Sequence, residues 1–308
     1  GTLTFGAGNT YTGATSLDLG TLVYTATNTQ TGVFNFGSAN TIATTGTLDL
    51  SAANATFGSL VAQTDTATAN NLTIGSGQTL TITGNVALGT ARGASTNTAL
   101  TTTGGGSLVV QNVTTPPTSF VVGGVTSAAA QGNKAIVDLS GLSNLTVELN
   151  TTSGVFRVNP ANANNVSDKY SVLTLPSTGA GTTTITTNSL NVGDSAQNNN
   201  SAGQINQLKL GTGVNTLNAN TVNIGTGGRD IGSITFNTAS GSVVLRAADG
   251  TSRAAFNIGT GSANTGVGIA SPNTFDVSGH NANLLISTLT IGGQNRNADR
   301  TDNFTFDT

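Results

Sequence analysis

Leu190-Asn191-Val192-Gly193, Val222-Asn223-Ile224-Gly225, Phe256-Asn257-Ile258-Gly259 and Leu289-Thr290-Ile291-Gly292 are four versions of one phrase. The apolar residue before each Gly falls at 192, 224, 258 and 291, so the phrase returns at nearly constant spacing. A polar stretch follows each copy, then a second apolar pair: Leu208/Leu210, Ile234/Phe236, Phe275/Val277 and Phe304/Phe306. Three copies add a third short apolar segment, around Leu217, Val243–Leu245 and Leu284–Ile286. Internal repeats of this size point to a coil of stacked units, because one unit cannot bury its own apolar face. Period-two alternation sends Leu190 and Val192 to one face and Asn191 to the other. The apolar pairs therefore read as interior. Asn191, Asn223, Asn257 and Thr290 read as an outward polar ladder of stacked side chains.

Working outward, the 308 residues suit a one-dimensional array. Only 7% are charged, Gly numbers 41, and Cys, Met and Trp are absent. That is the composition of short strands joined by small-residue turns, and no amphipathic 3.6-residue stripe marks a helix. The net charge is −3, and the ten basic residues all lie at or after Arg92 without clustering. The basic stripe expected of a nucleic-acid binder is missing. No apolar run reaches the ~20 residues needed to span a bilayer as a helix. Absence of thiols fits an exported protein. The chain opens at Gly1, which reads as a processed product or an excised piece.

Residues 1–90 show a similar beat. Leu3/Phe5 match Phe34/Phe36 at a step of 31, and Leu17/Leu19 match Leu48/Leu50 and then Leu80/Ile82 at 31 and 32. Gly6, Gly20, Gly37, Gly46 and Gly84 fall at the breaks, where tight corners need positive φ. The run Gly1-Thr2-Leu3-Thr4-Phe5, Asn9-Thr10-Tyr11-Thr12-Gly13, Thr15 and Leu19-Gly20-Thr21-Leu22-Val23 resembles the autotransporter-associated β-strand repeat over residues 1–25. The resemblance implies a right-handed parallel β-helix in a bacterial surface-exposed or secreted protein. The expected fold is thus all-β: a single right-handed β-solenoid over 1–308 with uncapped ends. Each rung is expected to take about 31–34 positions and three strands. Residues 91–135 interrupt the rhythm with Gly104-Gly105-Gly106 and Pro116-Pro117. They read as an inserted excursion around Leu108–Val113 and Phe120–Val122. Lys169 and Tyr170 read as a solvated polar corner.

Candidate chemistry is sparse. Asp18, Asp49, Asp138 and Asp276 each sit between two inward apolar residues, hence on the outer surface, with Asp18 and Asp49 able to stack one rung apart. A β-helix polysaccharide enzyme needs acids converging on one face. His280 is the lone His and reads as a corner residue after Gly279; without Cys or a second His it makes no zinc site. Gly227-Gly228-Arg229-Asp230 reads as a turn. No catalytic, cofactor or metal residues are assigned, and no cofactor is expected.

The ends carry the functional expectation. Solenoids usually blunt their ends, since an open rung is a bare strand edge. Here the first segment, Thr2, Leu3, Thr4 and Phe5, and the last, Phe304, Thr305 and Phe306, carry no helix, Pro or Lys-rich cap. Arg296, Asp299, Arg300 and Asp302 form a charged loop beside the last segment. Together these residues are the expected assembly interface of a head-to-tail homopolymer. The function read from this is a non-enzymatic structural subunit of an extracellular bacterial filament or matrix fibre, secreted or on the cell surface. A second reading is the passenger segment of a surface adhesin contacting glycans or another cell through 91–135.

Overall fold

The computed structural model describes residues 1–37, 45–64, 69–91, 98–123, 134–159, 170–194, 205–227, 231–260, 272–292 and 302–306. Among these are 27 β-strands and no helix. The strands form an eleven-stranded and a sixteen-stranded sheet, and every ladder between them is parallel.

In the eleven-stranded sheet the order follows the chain, from Thr2–Phe5 and Gly20–Tyr24 to Thr274–Asp276 and Asn303–Thr305. The sixteen-stranded sheet has two limbs. In chain order each strand of the first sheet is followed by a first-limb segment, then a second-limb segment. In several places the two segments are one strand, as in Asn28–Phe36, Ala55–Thr64, Thr182–Val192 and Val214–Ile224.

All four link the limbs, and two of them close a circuit. Ala55–Phe57 pair with Leu80–Ile82, while Leu60–Thr64 pair with Val86–Ala91. Thr182–Thr186 pair with Asn144–Glu148, while Ser189–Val192 pair with Val155–Val158. Eight strands thereby close a circuit of parallel pairings back to Asn144–Glu148. The expected three separate strands in every rung are therefore not what forms; a strand that stays extended through the bend serves both limbs.

The C-terminal register matches the repeated phrase. Val158 pairs with Val192, Val192 with Ile224, Ile224 with Ile258, and Ile258 with Ile291. Leu208 pairs with Ile234, then Phe275, then Phe304; Leu217 pairs with Leu245, then Leu284. The glycines ending the phrase at 193, 225, 259 and 292 all take positive φ, from 61° to 74°. A Cβ on Gly225 would collide with the Asn273 side-chain amide, so both conformation and space require glycine there.

The N-terminal register differs from the expected one. Leu3 pairs with Leu22, not Phe34, and Leu22 with Leu48. Leu17 pairs with Phe36. Leu80 pairs with Ala55 and Leu108. The first turn is short because just Asp18 and Leu19 separate Thr15–Leu17 from Gly20–Tyr24. The beat expected there joins apolar pairs that lie in different ladders. Of the five expected corner glycines, Gly20 and Gly37 take positive φ, and Gly6, Gly46 and Gly84 do not.

The expected excursion at 91–135 is instead part of the ladders. Thr98–Thr103, Ser107–Val110 and Ser119–Val122 are strands, with Leu108 between Leu80 and Leu145, and Phe120 between Val86 and Phe156. Residues 92–97 and 124–133 lie outside the described residues.

Inward side chains form one apolar cluster from Leu22 to Val277. Phe120 and Phe156 are ladder partners and their rings stack at 4.8 Å, close to the ~4.8 Å strand spacing, so this stack follows from the ladder itself. Phe34 and Phe57 stack at 4.6 Å although their ladder partners are Leu60 and Gln30, so their rings meet across the bend between the two limbs. Outward, the amide ladder forms: Asn223 Nδ2 donates to Asn191 Oδ1 (2.8 Å) and Asn257 Nδ2 to Asn223 Oδ1 (2.9 Å), and Thr290 is in register with Asn257.

Candidate assembly surfaces at the two ends of the ladders

Seven large apolar residues are exposed among the described residues: Leu3, Leu19, Val113, Val214, Leu289, Ile291 and Phe306. Five lie at the ends: Leu3 on the first strand and Leu19 just before Gly20–Tyr24, Leu289 and Ile291 on Ile286–Ile291, and Phe306 just after Asn303–Thr305. Their exposure is what an unpaired edge produces. An inward residue is covered from both sides in the middle of a ladder and from one side at its end. Leu22 is 4% exposed where its ladder neighbour Leu3 is 57% exposed.

The N-terminal end holds a cleft of about 650 Å³ whose apolar lining includes Leu3, Phe5, Tyr11, Leu17, Leu19 and Leu22. Its floor is fixed by hydroxyls: Tyr11 Oη lies 3.1 Å from Thr15 Oγ1 and 3.2 Å from Tyr24 Oη. Burial, with the Tyr11 hydroxyl beside it, pushes the Tyr24 phenol far above its usual range and keeps it neutral. The C-terminal end holds a cleft of about 390 Å³ lined by His280, Ala282, Leu284, Ile286, Leu289, Phe304 and Phe306. His280 follows Gly279 at a corner, as expected, and its ring stacks on Phe236 at 3.7 Å.

The expected interface residues divide clearly. Thr2, Leu3 and Thr4 are exposed, and Phe5 is half-buried with its ring 5.5 Å from Tyr24. Phe304 is packed on the core, with rings 5.1 Å from Phe275 and 5.6 Å from Phe256, while Thr305 and Phe306 are exposed. Arg296, Asp299 and Arg300 lie outside the described residues. Asp302 is described, and its carboxylate meets Asn273. Its Oδ1 accepts from Asn273 Nδ2 at 2.8 Å and from the Asn273 N–H at 3.4 Å.

That contact belongs to a device the sequence reading missed. Asn70, Asn206 and Asn273 begin or precede strands of the eleven-stranded sheet, two positions before an inward Leu or Phe. Each buried amide joins three turns. Asn70 Oδ1 accepts from Gly46 N–H (3.0 Å) and Nδ2 donates to Ala99 C=O (3.1 Å). Asn206 does the same between Ser171 N–H (2.9 Å) and Ile231 C=O (3.1 Å). Asn273 accepts from Gly232 N–H (2.9 Å) and donates to Asp302. The signal was present as Asn-x-Leu/Phe-x-apolar at 70–74, 206–210 and 273–277, with Asp302-Asn303-Phe304-Thr305-Phe306 as its last version.

Among the described residues the acids do not converge. Asp49 faces Val23 and Thr73, so it does not stack on Asp18. Asp49, Asp138 and Asp276 instead turn corners, accepting from the N–H of Ser51, Ser140 and Ser278 at 2.8, 2.9 and 3.0 Å. Among the described residues no three His, Cys, Asp or Glu side chains gather to hold a metal ion. Arg157 pairs with Asp194 at 3.1 Å. Burial pushes the Asp194 carboxyl up, and the Arg157 guanidinium opposes this. The Ser252 hydroxyl and N–H hold the exposed Asp249 carboxyl well below its usual range.

One further cleft, about 300 Å³, lies on the outer face of the eleven-stranded sheet between Ile136, Asp138, Tyr170, Val172, Gln207 and Lys209. Tyr170 thus opens a strand instead of forming a corner, and Lys169 lies outside the described residues. No helix among the described residues is long and apolar enough to cross a membrane. No family model, curated protein or solved structure matches the chain.

Proposed function

We propose that the chain is a structural subunit that extends head to tail into an extracellular filament or matrix fibre. The parallel ladders are read as a right-handed β-solenoid with one strand of the first sheet and two limb segments per rung. The observation that carries this reading is the concentration of exposed Leu, Ile and Phe on the two terminal rungs, each beside an open strand edge. A further rung covers such residues and satisfies the edge N–H and C=O groups. A heterologous contact of this kind that does not close on itself propagates into a filament. Eleven strands at ~4.8 Å make a rod of roughly 50 Å, which sets the expected axial repeat. The work is mechanical, with no cofactor and no catalysis. Low charge, absence of thiols and the resemblance at residues 1–25 favour a secreted or surface location in a bacterium.

Electron microscopy of the purified 308-residue chain tests this. Long unbranched filaments with a ~50 Å repeat are expected. Separate rods one chain long overturn it. The outer cleft around Tyr170 favours a second reading, a surface adhesin segment, because an aromatic ring beside amide and charged groups suits a saccharide. Retention of the rods on immobilised glycans, lost in Tyr170→Ala, is its expected signature.

A further inference from the structure

One patch in the middle of the eleven-stranded sheet departs from the small, polar outward positions around it. On the flanking strands those positions hold Thr101 and Thr103 on one side, Ser233 and Thr235 on the other. Between them Ile136, Val172 and Ile205 face outward together with Tyr170, each half-buried. A group of outward apolar residues rimmed by polar ones marks a contact surface. The register explains its shape. Ile136 pairs with Val172 and Val172 with Gln207, while Asp138 pairs with Thr174 and Thr174 with Lys209. The middle strand therefore carries the short side chains Val172 and Thr174, and longer ones rise from the strands on both sides. The result is a trough along Tyr170–Thr174 with Tyr170 at its start. Adjacent strands lie ~4.8 Å apart, so the two walls stand roughly 10 Å from each other. At about 300 Å³ the cleft is at the small end for ligand sites, with room for one sugar ring.

The polar groups narrow the ligand. Asp138 and Lys209 face each other across Thr174 and form no ion pair among the described residues. Asp138 Oδ1 accepts from the Ser140 N–H at 2.9 Å, which orients the carboxylate and leaves Oδ2 for a ligand. An acceptor on one wall and a donor on the other suit a group that both gives and takes hydrogen bonds, as a hydroxyl does. Their formal charges cancel. A uronate would meet the Asp138 carboxylate and a cationic ligand would meet Lys209, so the pair favours a neutral polyol. The face of an aromatic ring is negative and attracts C–H groups. A pyranose carries C–H groups on its faces and hydroxyls around its rim. Resting on the adhesin reading above, we infer that this trough is a subsite for one neutral hexopyranose unit of a glycan. The C–H face of the sugar lies on Tyr170 and Val172. Asp138 accepts from one hydroxyl, Lys209 donates to another, and the Gln207 amide serves a third from the same wall as Lys209.

Calorimetric titration of the purified chain tests this, with neutral tetrasaccharides of gluco, galacto and manno configuration and with tetragalacturonate as probes. At least one neutral tetrasaccharide is expected to bind, and tetragalacturonate is not. Lys209→Met and Asp138→Asn should each weaken that binding about tenfold, the effect of losing one charge-assisted hydrogen bond. Asn at 138 keeps an acceptor for the Ser140 N–H, so the corner survives. Asp276→Asn alters a like corner, where the carboxylate accepts from Ser278 N–H, and should leave affinity unchanged. Circular dichroism on each variant checks that the strands are intact. Binding indifferent to both the 138 and 209 substitutions, equal weakening by Asp276→Asn, or tighter binding of tetragalacturonate overturns the subsite and leaves glycan adhesion standing. Retention on immobilised glycans without binding of any neutral tetrasaccharide does the same. No retention and no binding overturn both.

Discussion

The turns from Val158 to Ile291 and those from Gly1 to Leu88 use the same ladders with different regularity. In the later region the second limb steps through Val158, Val192, Ile224, Ile258 and Ile291, at almost even intervals along the chain. In the earlier region the same limb steps through Leu17, Phe36, Ala62 and Leu88, in shorter and less even intervals. The contrast shows that a repeat in apolar pattern reports register only when the same corners absorb the same length each turn. Backbone pairing sets register, and any corner can lengthen without disturbing it. The link from the second limb back to the first sheet ranges from just Asp18 and Leu19 to the whole of 259–273.

Both regions combine ring contacts with amide clips, and the largest predicted effect is at the early ring cluster. There Phe57 is stacked on Phe34 and meets Tyr24 edge-on at 6.4 Å. Phe57→Ala should destabilise by about 3–5 kcal/mol. A Phe34/Phe57 double-mutant cycle in chemical denaturation should show coupling of ~0.5–1.5 kcal/mol. Additive losses would mean the stack is incidental.

Amide clips occur in both regions, at Asn70 early and at Asn206 and Asn273 later. Asn206→Ala orphans the buried Ser171 N–H, while the Ile231 C=O keeps its bond from the Asn206 N–H (2.9 Å). The expected loss is roughly 1–3 kcal/mol, with faster hydrogen exchange at the Ser171 amide. Unchanged exchange there would remove the clip from the account.

The outward ladder sharpens the comparison further. Asn223 is bonded to both Asn191 and Asn257, so Asn223→Ala should cost about 1–2 kcal/mol. Asn35 occupies the equivalent outward position early in the chain, between Ser16 and Val61, where no amide ladder exists. Asn35→Ala should stay within ~0.5 kcal/mol. Equal effects in denaturant midpoints would erase the distinction.

The smallest effect is electrostatic, at two carboxylates of the later region, Asp194 and Asp249. The Asp194 carboxyl is raised above its ordinary 3.8. Its stabilising contribution is therefore full below that pH and lost as pH rises through the folded value. Asp249 is lowered, so its contribution is present above 3.8 and lost as pH falls through its folded value. Denaturation midpoints against pH should flatten on the alkaline side of 3.8 in Asp194→Asn and on the acid side in Asp249→Asn. A curve unchanged by either substitution would detach both groups from stability.

Much of the later region was legible because its signal is backbone arithmetic. An apolar-polar-apolar strand ending in a left-handed Gly recurs at nearly constant spacing, and Leu190 does meet Val222, which in turn meets Phe256. The ladder asparagines followed from the same alternation. The early register was not legible, because Leu3, Leu17 and Phe34 are chemically interchangeable inward residues and pattern alone does not say which limb each belongs to. Leu108 and Phe120 were misread for a related reason: Pro116, Pro117 and the glycine run suggest a break, yet they occupy the corners between strands that pair normally. At the ends, exposed Leu3 and Phe306 were anticipated, but Phe304 is packed on Phe275, and Asp302 serves the Asn273 clip.

By itself the sequence determined that this chain is β-structured, that inward and outward faces alternate, and that its later turns are of nearly constant length. Those properties follow from side-chain size, polarity and period-two geometry, all local. Only the tertiary structure decided which strands pair, that eight of them close a circuit, that asparagines clip three turns at a corner, and that Asn303–Thr305 pairs with Thr274–Asp276. Pairing is a contest among many apolar segments of equal hydrophobicity. It is settled by corner lengths and by the hydrogen bonds of buried N–H and C=O groups, which act between residues far apart in the chain.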